Sequence, residues 1–337
     1  MTDSPGSPPP APTHPSGRSQ GGRRKRGLGR KSRRQSLPLY HPRYWPTGAA
    51  LVLLRLLVVL PWPLLMPLAD LLGTLLWALI LTRRRIVRVN LTIAFPEQTP
   101  AARRRLERAH FRSATRGLFE GGVAWWLSDR RIAGRYALYG LEHLEEARRR
   151  GRGVILLAAH YTSVEMGTKI LGRHIEAFYP VYKPAKDRLF DAEMLRVRRA
   201  AVTGMLHNED MRGILRVLRS NGVVWYAPDQ DFGSRSGVFA PFMGAPAMTL
   251  TMTGRLAQAS GAAVVPVRYE RRPGPFWHVE MLPALADFPS GDEVTDAARV
   301  NALIEEQVER APEQYLWLHR RFKTRPDPDA RSPYSSG

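Results

Sequence analysis

The sequence predicts an α/β sandwich built around a mixed central sheet and preceded by an N-terminal hydrophobic segment. Short apolar runs that suit buried strands recur in the second half of the chain, at 154–159, 177–181, 223–227, 263–267 and 278–281. Segments with helical spacing separate these runs, near 141–150, 163–173, 187–200, 210–220 and 249–260. Strands and helices that alternate in this way are typical of helices packed on the faces of one sheet.

Composition divides the chain into four parts. Residues 1–43 carry ten Lys or Arg and one acidic residue, and residues 1–38 contain almost no large apolar side chains, so we expect a disordered basic tail over 1–43. A hydrophobic segment follows at 48–82. We expect one folded domain over 83–325, helical from 83 to about 126, and a second disordered tail over 326–337.

The hydrophobic segment allows three structures. Arg55, Asp70 and three prolines interrupt it, so neither half reaches the ~18 uncharged residues of a clear spanning helix. A tilted single span and an interfacial or re-entrant hairpin both fit, and a pair of core helices in a soluble domain is the third alternative. Both flanks are basic, so the positive-inside rule gives no orientation.

Charge and cysteine content narrow the function classes. The chain has no cysteine, which excludes disulfides and thiolate chemistry. Its 51 Lys and Arg against 30 Asp and Glu give a net charge of +21. This charge favours acidic partners such as anionic lipid, an acidic carrier protein or nucleic acid. Because only +9 of it lies in residues 1–43, the folded domain is basic as well.

His160 and Glu165 form the most informative pair. The apolar run 154–159 predicts a buried strand that ends at His160, and Thr162 and Ser163 suit the start of a helix. Within one straight helix the two side chains would point about 140° apart, whereas a strand, a turn and a first helical turn let them meet. Glu165 could then orient His160 as a general base. Alternatively, Thr162 to Glu165 form a capping box and Glu165 only satisfies a backbone N–H.

Four ordered blocks carry a family resemblance. His160-x4-Glu165 resembles the His-x4-Asp/Glu signature of the glycerolipid acyltransferase superfamily. The segments 223–244, 264–268 and 312–324 are similar to further blocks of the lipid A biosynthesis lauroyl/myristoyl acyltransferases. The resemblance spans about Leu51 to Arg325, with Lys183 where the family usually has Arg. It implies a glycerolipid acyltransferase-like α/β sandwich.

The resemblance also implies a reaction and its partners. It implies transfer of a lauroyl- or myristoyl-type chain from acyl carrier protein to a hydroxyacyl chain of a phosphorylated lipid A precursor, at the cytoplasmic side of the inner membrane. His160 is the expected general base and Glu165 its orienting group. We expect no metal, no cofactor and no nucleic acid partner, with the bilayer itself as a partner. The expected substrate-binding residues are Lys183, Arg198, Asp229, Asp231, Arg235 and Arg268.

Two other functions are compatible with parts of the sequence. Asp229 and Asp231 follow a strand, where an Asp-x-Asp could hold a divalent ion in a membrane-associated glycosyltransferase. The chain lacks a glycine-rich nucleotide loop, and Arg235 suits direct phosphate binding better. A membrane-tethered binding protein without enzymatic activity would explain the positive charge but not the four ordered blocks.

Overall fold

The computed structural model describes residues 37–234 and 237–335. The chain divides into two compact units, residues 1–43 and 44–337. The described part of the first unit contains a turn in which the His41 backbone N–H donates to the Pro38 carbonyl at 3.0 Å. Residues 1–36 of the predicted basic tail lie outside the described residues.

The second unit contains the helices and strands. Its helices are α1 Trp45–Leu57, α2 Trp62–Leu79, α3 Leu81–Ala94, α4 Pro100–Trp126, α5 Leu141–Arg149, α6 Val164–His174, α7 Arg188–Arg199, α8 Met211–Arg219, α9 Met252–Ser260 and α10 Glu293–Arg310. Its strands are β1 Tyr136–Tyr139, β2 Val154–Leu157, β3 Phe178–Tyr182, β4 Leu206–His207, β5 Val223–Tyr226, β6 Gly237–Phe242, β7 Ala245–Leu250, β8 Ala263–Arg272 and β9 Phe276–Met281.

A mostly parallel sheet forms the centre of the fold. Seven strands lie in the order β1-β9-β8-β2-β5-β3-β4, and only the β8–β9 pair is antiparallel. Strand β2 lies between β8 and β5, and its four side chains are at most 2% exposed. A continuous apolar run on such a strand is expected because helices cover both faces of a parallel sheet. The predicted mixed α/β fold is confirmed.

The N-terminal helices form a layer on α4. Helix α2 runs alongside α4 and buries Trp62, Leu65, Ala69, Gly73 and Trp77, which recur every three or four residues on one face. At Gly73 an added Cβ would lie 2.7 Å from the Arg112 Cα, so glycine allows the two backbones to touch. Among the described residues, α2 is the one helix long and apolar enough to cross a membrane.

Several elements differ from the sequence-based expectations. Strands β1, β6 and β7 and helix α10 were not predicted, and β7 occupies the start of the helix expected at 249–260. Strands β6 and β7 form a separate antiparallel hairpin. The C-terminal tail expected to be disordered packs instead on the domain, because buried Tyr334 accepts a hydrogen bond from the Phe322 N–H at 3.1 Å and donates one to Asn90.

Candidate active site

The carboxyl ends of β2 and β5 bring His160 and Asp229 together. These parallel strands are in register at Leu157 and Tyr226. His160 and Asp229 each come three residues later, on loops that leave the same edge of the sheet. Ligands and reactive groups collect at this edge in open α/β sheets because the loops after parallel strands converge there.

Asp229 makes two hydrogen bonds to His160. Its Oδ1 accepts from the ring Nδ1 at 2.6 Å, and its Oδ2 accepts from the backbone N–H at 3.1 Å. Burial of the 3%-exposed Asp229 would raise its pKa, but the charge and hydrogen bonds of His160, aided by Arg321, lower that pKa to about 2. Asp229 is therefore a carboxylate that fixes the ring with Nδ1 protonated, which leaves Nε2 as the available base.

The C-terminal segment brackets the loop that carries His160. The Leu316 N–H donates to the His160 carbonyl at 2.9 Å, and the Thr162 N–H donates to the Gln314 carbonyl at 2.8 Å. Tyr161 and Tyr315 form an antiparallel bridge between these two bonds. The loop is thus held as one strand of a short ladder, although it lies outside the main sheet.

A buried polar network supports the same loop from below. The Thr162 hydroxyl lies 2.8 Å from the Ser113 hydroxyl and accepts from Arg271 at 3.3 Å. Arg271 also donates to Ser113 and forms a buried ion pair with Glu120, with Nη2 to Oε2 at 2.9 Å. On the same face of α4 as Ser113 and Glu120, an added Cβ at Gly117 would lie 1.9 Å from the Thr162 carbonyl oxygen. Helix α4 therefore sets the position of the loop.

Glu165 does not occupy the position expected of it. It lies in the first turn of α6 and binds Arg198 of α7, whose Nε donates to its Oε2 at 3.2 Å, while Trp125 donates to the same oxygen at 2.8 Å. The predicted His160–Glu165 contact is replaced by His160–Asp229, because α6 turns Glu165 toward α4 and α7. The alternative capping box is also not seen in the described residues, since Thr162 bonds Ser113 and Arg271 and Ser163 makes no capping bond.

A cavity of about 460 Å³ opens beside His160. Apolar and polar side chains share its lining: Val181, Tyr182, Lys183, Asn208, Glu209, Trp225, Tyr226, Ala227, Gln230, Phe232, Leu250, Met252 and Arg255. The Lys183 ammonium lies 4.7 Å from the centre of the Phe232 ring, so the predicted substrate-binding residue Lys183 lies at this cavity. An elongated apolar ligand with a polar end suits such a lining.

Asp231 is a structural residue rather than a free ligand. Its Oδ2 accepts from the Thr324 N–H at 2.6 Å and its Oδ1 accepts from the Thr324 hydroxyl at 2.8 Å. The Gly233 N–H adds a third bond at 2.8 Å, and Lys323 lies 3.6 Å away. With Asp229 bound to His160, both carboxylates of the Asp-x-Asp are occupied, and no group of three metal-ligating side chains occurs among the residues 37–234 and 237–335.

Of the three remaining predicted site residues, Arg268 and Arg198 are not among those that line the cavity beside His160. Arg268 pairs with Glu306 and lies 3.6 Å from Glu280, beside a different cavity of about 330 Å³, so the structure does not bring it to the cavity next to His160. Arg235 lies outside the described residues. Arg198 contacts the site only through Glu165.

His319 and Gln230 also lie beside His160, although neither is among the predicted site residues. The His319 ring centre lies 5.8 Å from that of His160, and its Nε2 accepts from the Gln230 amide at 3.0 Å. Burial and the nearby charges of His160 and Arg83 lower the pKa of His319 to about 4, so it is neutral at pH 7. The sequence feature that could have identified His319 is its place in the 312–324 block, in which Gln314 and Leu316 bond the His160 loop.

Comparisons with known proteins show the family to which the chain belongs. The family model for bacterial lipid A biosynthesis acyltransferases matches residues 33–324. The chain is 40% identical over 294 residues to the lipid A biosynthesis lauroyltransferase of Escherichia coli K12, covering 87% of this chain and 96% of that protein. It is 35% identical to the palmitoleoyltransferase of the same strain, over 85% of this chain and 94% of that protein. It is 28% identical to the strain's myristoyltransferase, over 87% and 91%.

These matches cover the sheet, the His160 loop, the cavity and the C-terminal bracket. The glycosyltransferase and the non-enzymatic alternatives have no such support. The two carboxylates that a glycosyltransferase would need, Asp229 and Asp231, are hydrogen-bonded to His160 and Thr324. The chain belongs to the bacterial lipid A biosynthesis acyltransferase family and is an acyltransferase.

Proposed function

We propose that this acyltransferase moves a lauroyl- or myristoyl-type chain from acyl carrier protein to the hydroxyl of a hydroxyacyl chain on a phosphorylated lipid A precursor. The observation that carries the proposal is the 2.6 Å His160–Asp229 hydrogen bond at the edge of the 460 Å³ cavity. An oriented imidazole beside an apolar cavity is what direct acyl transfer requires.

His160 acts as the base and Asp229 as its orienting group. Nε2 takes the proton of the acceptor hydroxyl while that oxygen forms a bond to the thioester carbonyl carbon. The tetrahedral intermediate then collapses, the carbon–sulfur bond breaks, and the leaving thiolate takes the proton back from Nε2. Asp229, ionised above pH about 2, stabilises the imidazolium throughout. The chain has no cysteine, and no acyl-enzyme is needed.

The apolar wall of the cavity suits the donor chain. Trp225, Phe232, Leu250 and Met252 contribute large apolar surfaces to it. The 40% identical relative is a lauroyltransferase, which supports a medium-length saturated chain here. Lys183, at the same cavity, is placed to contact the phosphorylated acceptor or the carrier.

Exposed basic residues near the cavity suit an acidic carrier. Lys186 is exposed in the loop between β3 and α7, and Arg199 is exposed at the end of α7. The charge of Arg199 reaches Tyr182 of the cavity, where it partly offsets the raised pKa of that phenol. Electrostatic steering by such groups speeds association and weakens with salt. We further propose that the protein works at the inner membrane with its catalytic domain on the cytoplasmic side, where the carrier is found.

The direct test is transfer by the purified protein. Mass spectrometry should show one added acyl chain on the lipid A precursor with acyl carrier protein donors, and lipid A from a deletion strain should lack that chain. Lys186→Glu or Arg199→Glu should raise the apparent KM for the carrier donor but not for the coenzyme A thioester. Arg150→Glu, exposed before β2 at the opposite edge of the sheet, is the matched control.

Equal use of the two donors at low and high salt, without response to the charge reversals, would refute docking of the carrier. Absence of any acyl product with every donor would refute the proposed reaction as a whole.

A further inference from the structure

Helices α1 and α2 are joined by residues 58–61, and this helix pair, called the hairpin below, has an apolar outer face with no partner within the described chain. This outer face consists of Val52, Leu53 and Leu56 on α1, Val59 in the connection, and Leu64, Leu71, Leu75 and Leu79 on α2. These side chains are 50 to 69% exposed. Because both helices pack on α4 through their other faces, the two apolar stripes point away from the domain.

Cationic side chains flank the hairpin along its seam with α4. The Arg116 Nε donates to Asp70 at 2.6 Å, and Arg112 packs its backbone against Gly73. One turn further, the Arg108 guanidinium lies 4.3 Å from the Trp77 ring centre. Arg108, Arg112 and Arg116 thus follow one another at every turn of α4, over about 12 Å alongside α2. Arg108 and Arg112 are also exposed.

This row of arginines decides how α2 meets a membrane. If α2 crossed the bilayer in this packing, α4 would be carried with it, and the three arginines would enter the hydrocarbon region, where charged side chains are strongly disfavoured. If α2 lies parallel to the membrane surface, the leucines enter the acyl region while the arginines stay at the level of the lipid phosphates. That arrangement is typical of interfacial helices.

We propose that the α1–α2 hairpin lies flat in the boundary between headgroups and acyl chains of an anionic bilayer, and that α2 does not span it. Two hydrogen bonds link this part of the chain to segments near the active site. Thr47 of α1 donates to Asp187, at the start of α7, at 2.8 Å, and Arg83, at the start of α3 just after the hairpin, donates to the Leu318 carbonyl beside His319 at 3.4 Å. The cavity therefore lies close to the lipid surface. This proposal is independent of the acyl donor and of the role of His160.

The test uses single cysteines in the full-length protein, which has none of its own. Pro61→Cys lies between α1 and α2, Thr82→Cys lies just after α2, and Ser220→Cys is an exposed reference on the catalytic domain. In sealed membrane vesicles of both orientations, a membrane-impermeant maleimide should label all three from the same side only. Labelling of Pro61→Cys from the side opposite to Ser220→Cys would show that α2 spans the membrane and would overturn the proposal.

Depth is measured with a fluorophore on Leu71→Cys or Leu75→Cys and phosphatidylglycerol-containing vesicles. We expect a several-fold rise in emission, and stronger quenching by lipids brominated near the headgroup than by lipids brominated near the chain end. The same label on Ser220→Cys should not respond. Emission that rises without vesicles and resists brominated lipid would show that a second copy covers the face, and would also overturn the proposal.

Discussion

Two carboxylates near the candidate active site, Asp229 and Glu165, have different partners because different elements carry them. Asp229 leaves the carboxyl edge of the sheet beside His160 and is 3% exposed. Glu165 lies on a helix face and pairs with Arg198 between α6 and α7. The comparison shows that the partner of His160 is set by the register of the neighbouring strands β2 and β5 and not by proximity in sequence.

The largest effect should come from His160, which is the base whether Asp229 or Glu165 orients it. Replacing His160 by alanine should lower turnover by about a thousandfold, since a positioned base contributes in this range. The folded state should persist, because the ring is partly exposed and the loop is held by backbone bonds to Gln314 and Leu316. Transfer assays with unfolding curves on the same preparation check both points. Turnover within tenfold of the parent enzyme would contradict a base at this position.

Asp229→Asn should come next, with a loss of about a hundredfold at an unchanged apparent KM for the donor. Asparagine can still accept from Nδ1 but cannot stabilise the imidazolium by charge. Steady-state kinetics would measure this loss, with Asp231→Asn as the matched control, because Asp231 binds Thr324 instead of His160. An equal loss in the two variants would indicate that only the shape of the loop matters.

Glu165→Gln should affect stability more than turnover. It leaves the Arg198 guanidinium, 22% exposed, without its charged partner, and we expect a loss of about 1–3 kcal/mol in the free energy of unfolding. Adding Arg198→Met should restore part of that loss. Denaturant unfolding of the single and double variants measures the coupling.

A greater loss of turnover in Glu165→Gln than in Asp229→Asn, with no change in stability, would reverse the comparison. It would return the orienting role to Glu165.

The smallest effect at neutral pH should come from His110. Burial favours the neutral form of its imidazole, whereas His160 keeps the buried Asp229 ionised. Burial lowers its pKa to about 4, although its hydrogen bond to the Glu313 carbonyl raises it. The unfolded chain binds this proton near pH 6.5, so the contribution to stability is complete above 6.5 and is lost as the pH falls to 4. The loss amounts to about 3 kcal/mol at pH 4.

His110→Asn should flatten that part of the stability profile while leaving turnover at pH 7.5 nearly unchanged. Thermal unfolding at pH 7.5, 5.5 and 4.5 provides the measurement. A pH profile identical to that of the parent protein would show that His110 does not titrate in this way.

Most of the sheet could be predicted, because apolar runs such as 154–159 are long enough to identify buried strands. Strand β1 and the strand pair β6–β7 could not. Strand β1 is short and only partly buried, and the buried side chains of β6 and β7 include small or polar ones such as Ala240, Ala247 and Thr249, so their apolar signal is weak. Helix α10 was missed because its apolar residues are spaced among many charged ones. The sequence also predicts the apolar surface of the α1–α2 hairpin. Only the packing of α2 on α4 favours a helix that lies in the membrane surface over one that spans the bilayer.

The site was half predictable. His160 follows from its position at the end of a buried strand, and Lys183 does line the cavity. The orienting group required the register of β2 and β5, which aligns residues 69 positions apart, and local spacing carries no such information. Arg268 follows the predicted apolar run 263–267, but β8 continues to Arg272, and the Arg268 side chain pairs with Glu306 on α10, an element the sequence did not reveal.

The C-terminal bracket has a consequence for the order of events during synthesis. The His160 loop gains its ladder partners only from residues 314–316, and the loop after β5 gains its anchor only from Thr324. The hairpin, at residues 45–79, leaves the ribosome long before these residues do. A nascent chain can therefore reach the lipid surface while its catalytic loop is still unformed. If His160 is the base, acyl transfer must wait until residues 314–324 have also been made, so that contact of the hairpin with lipid would come before activity.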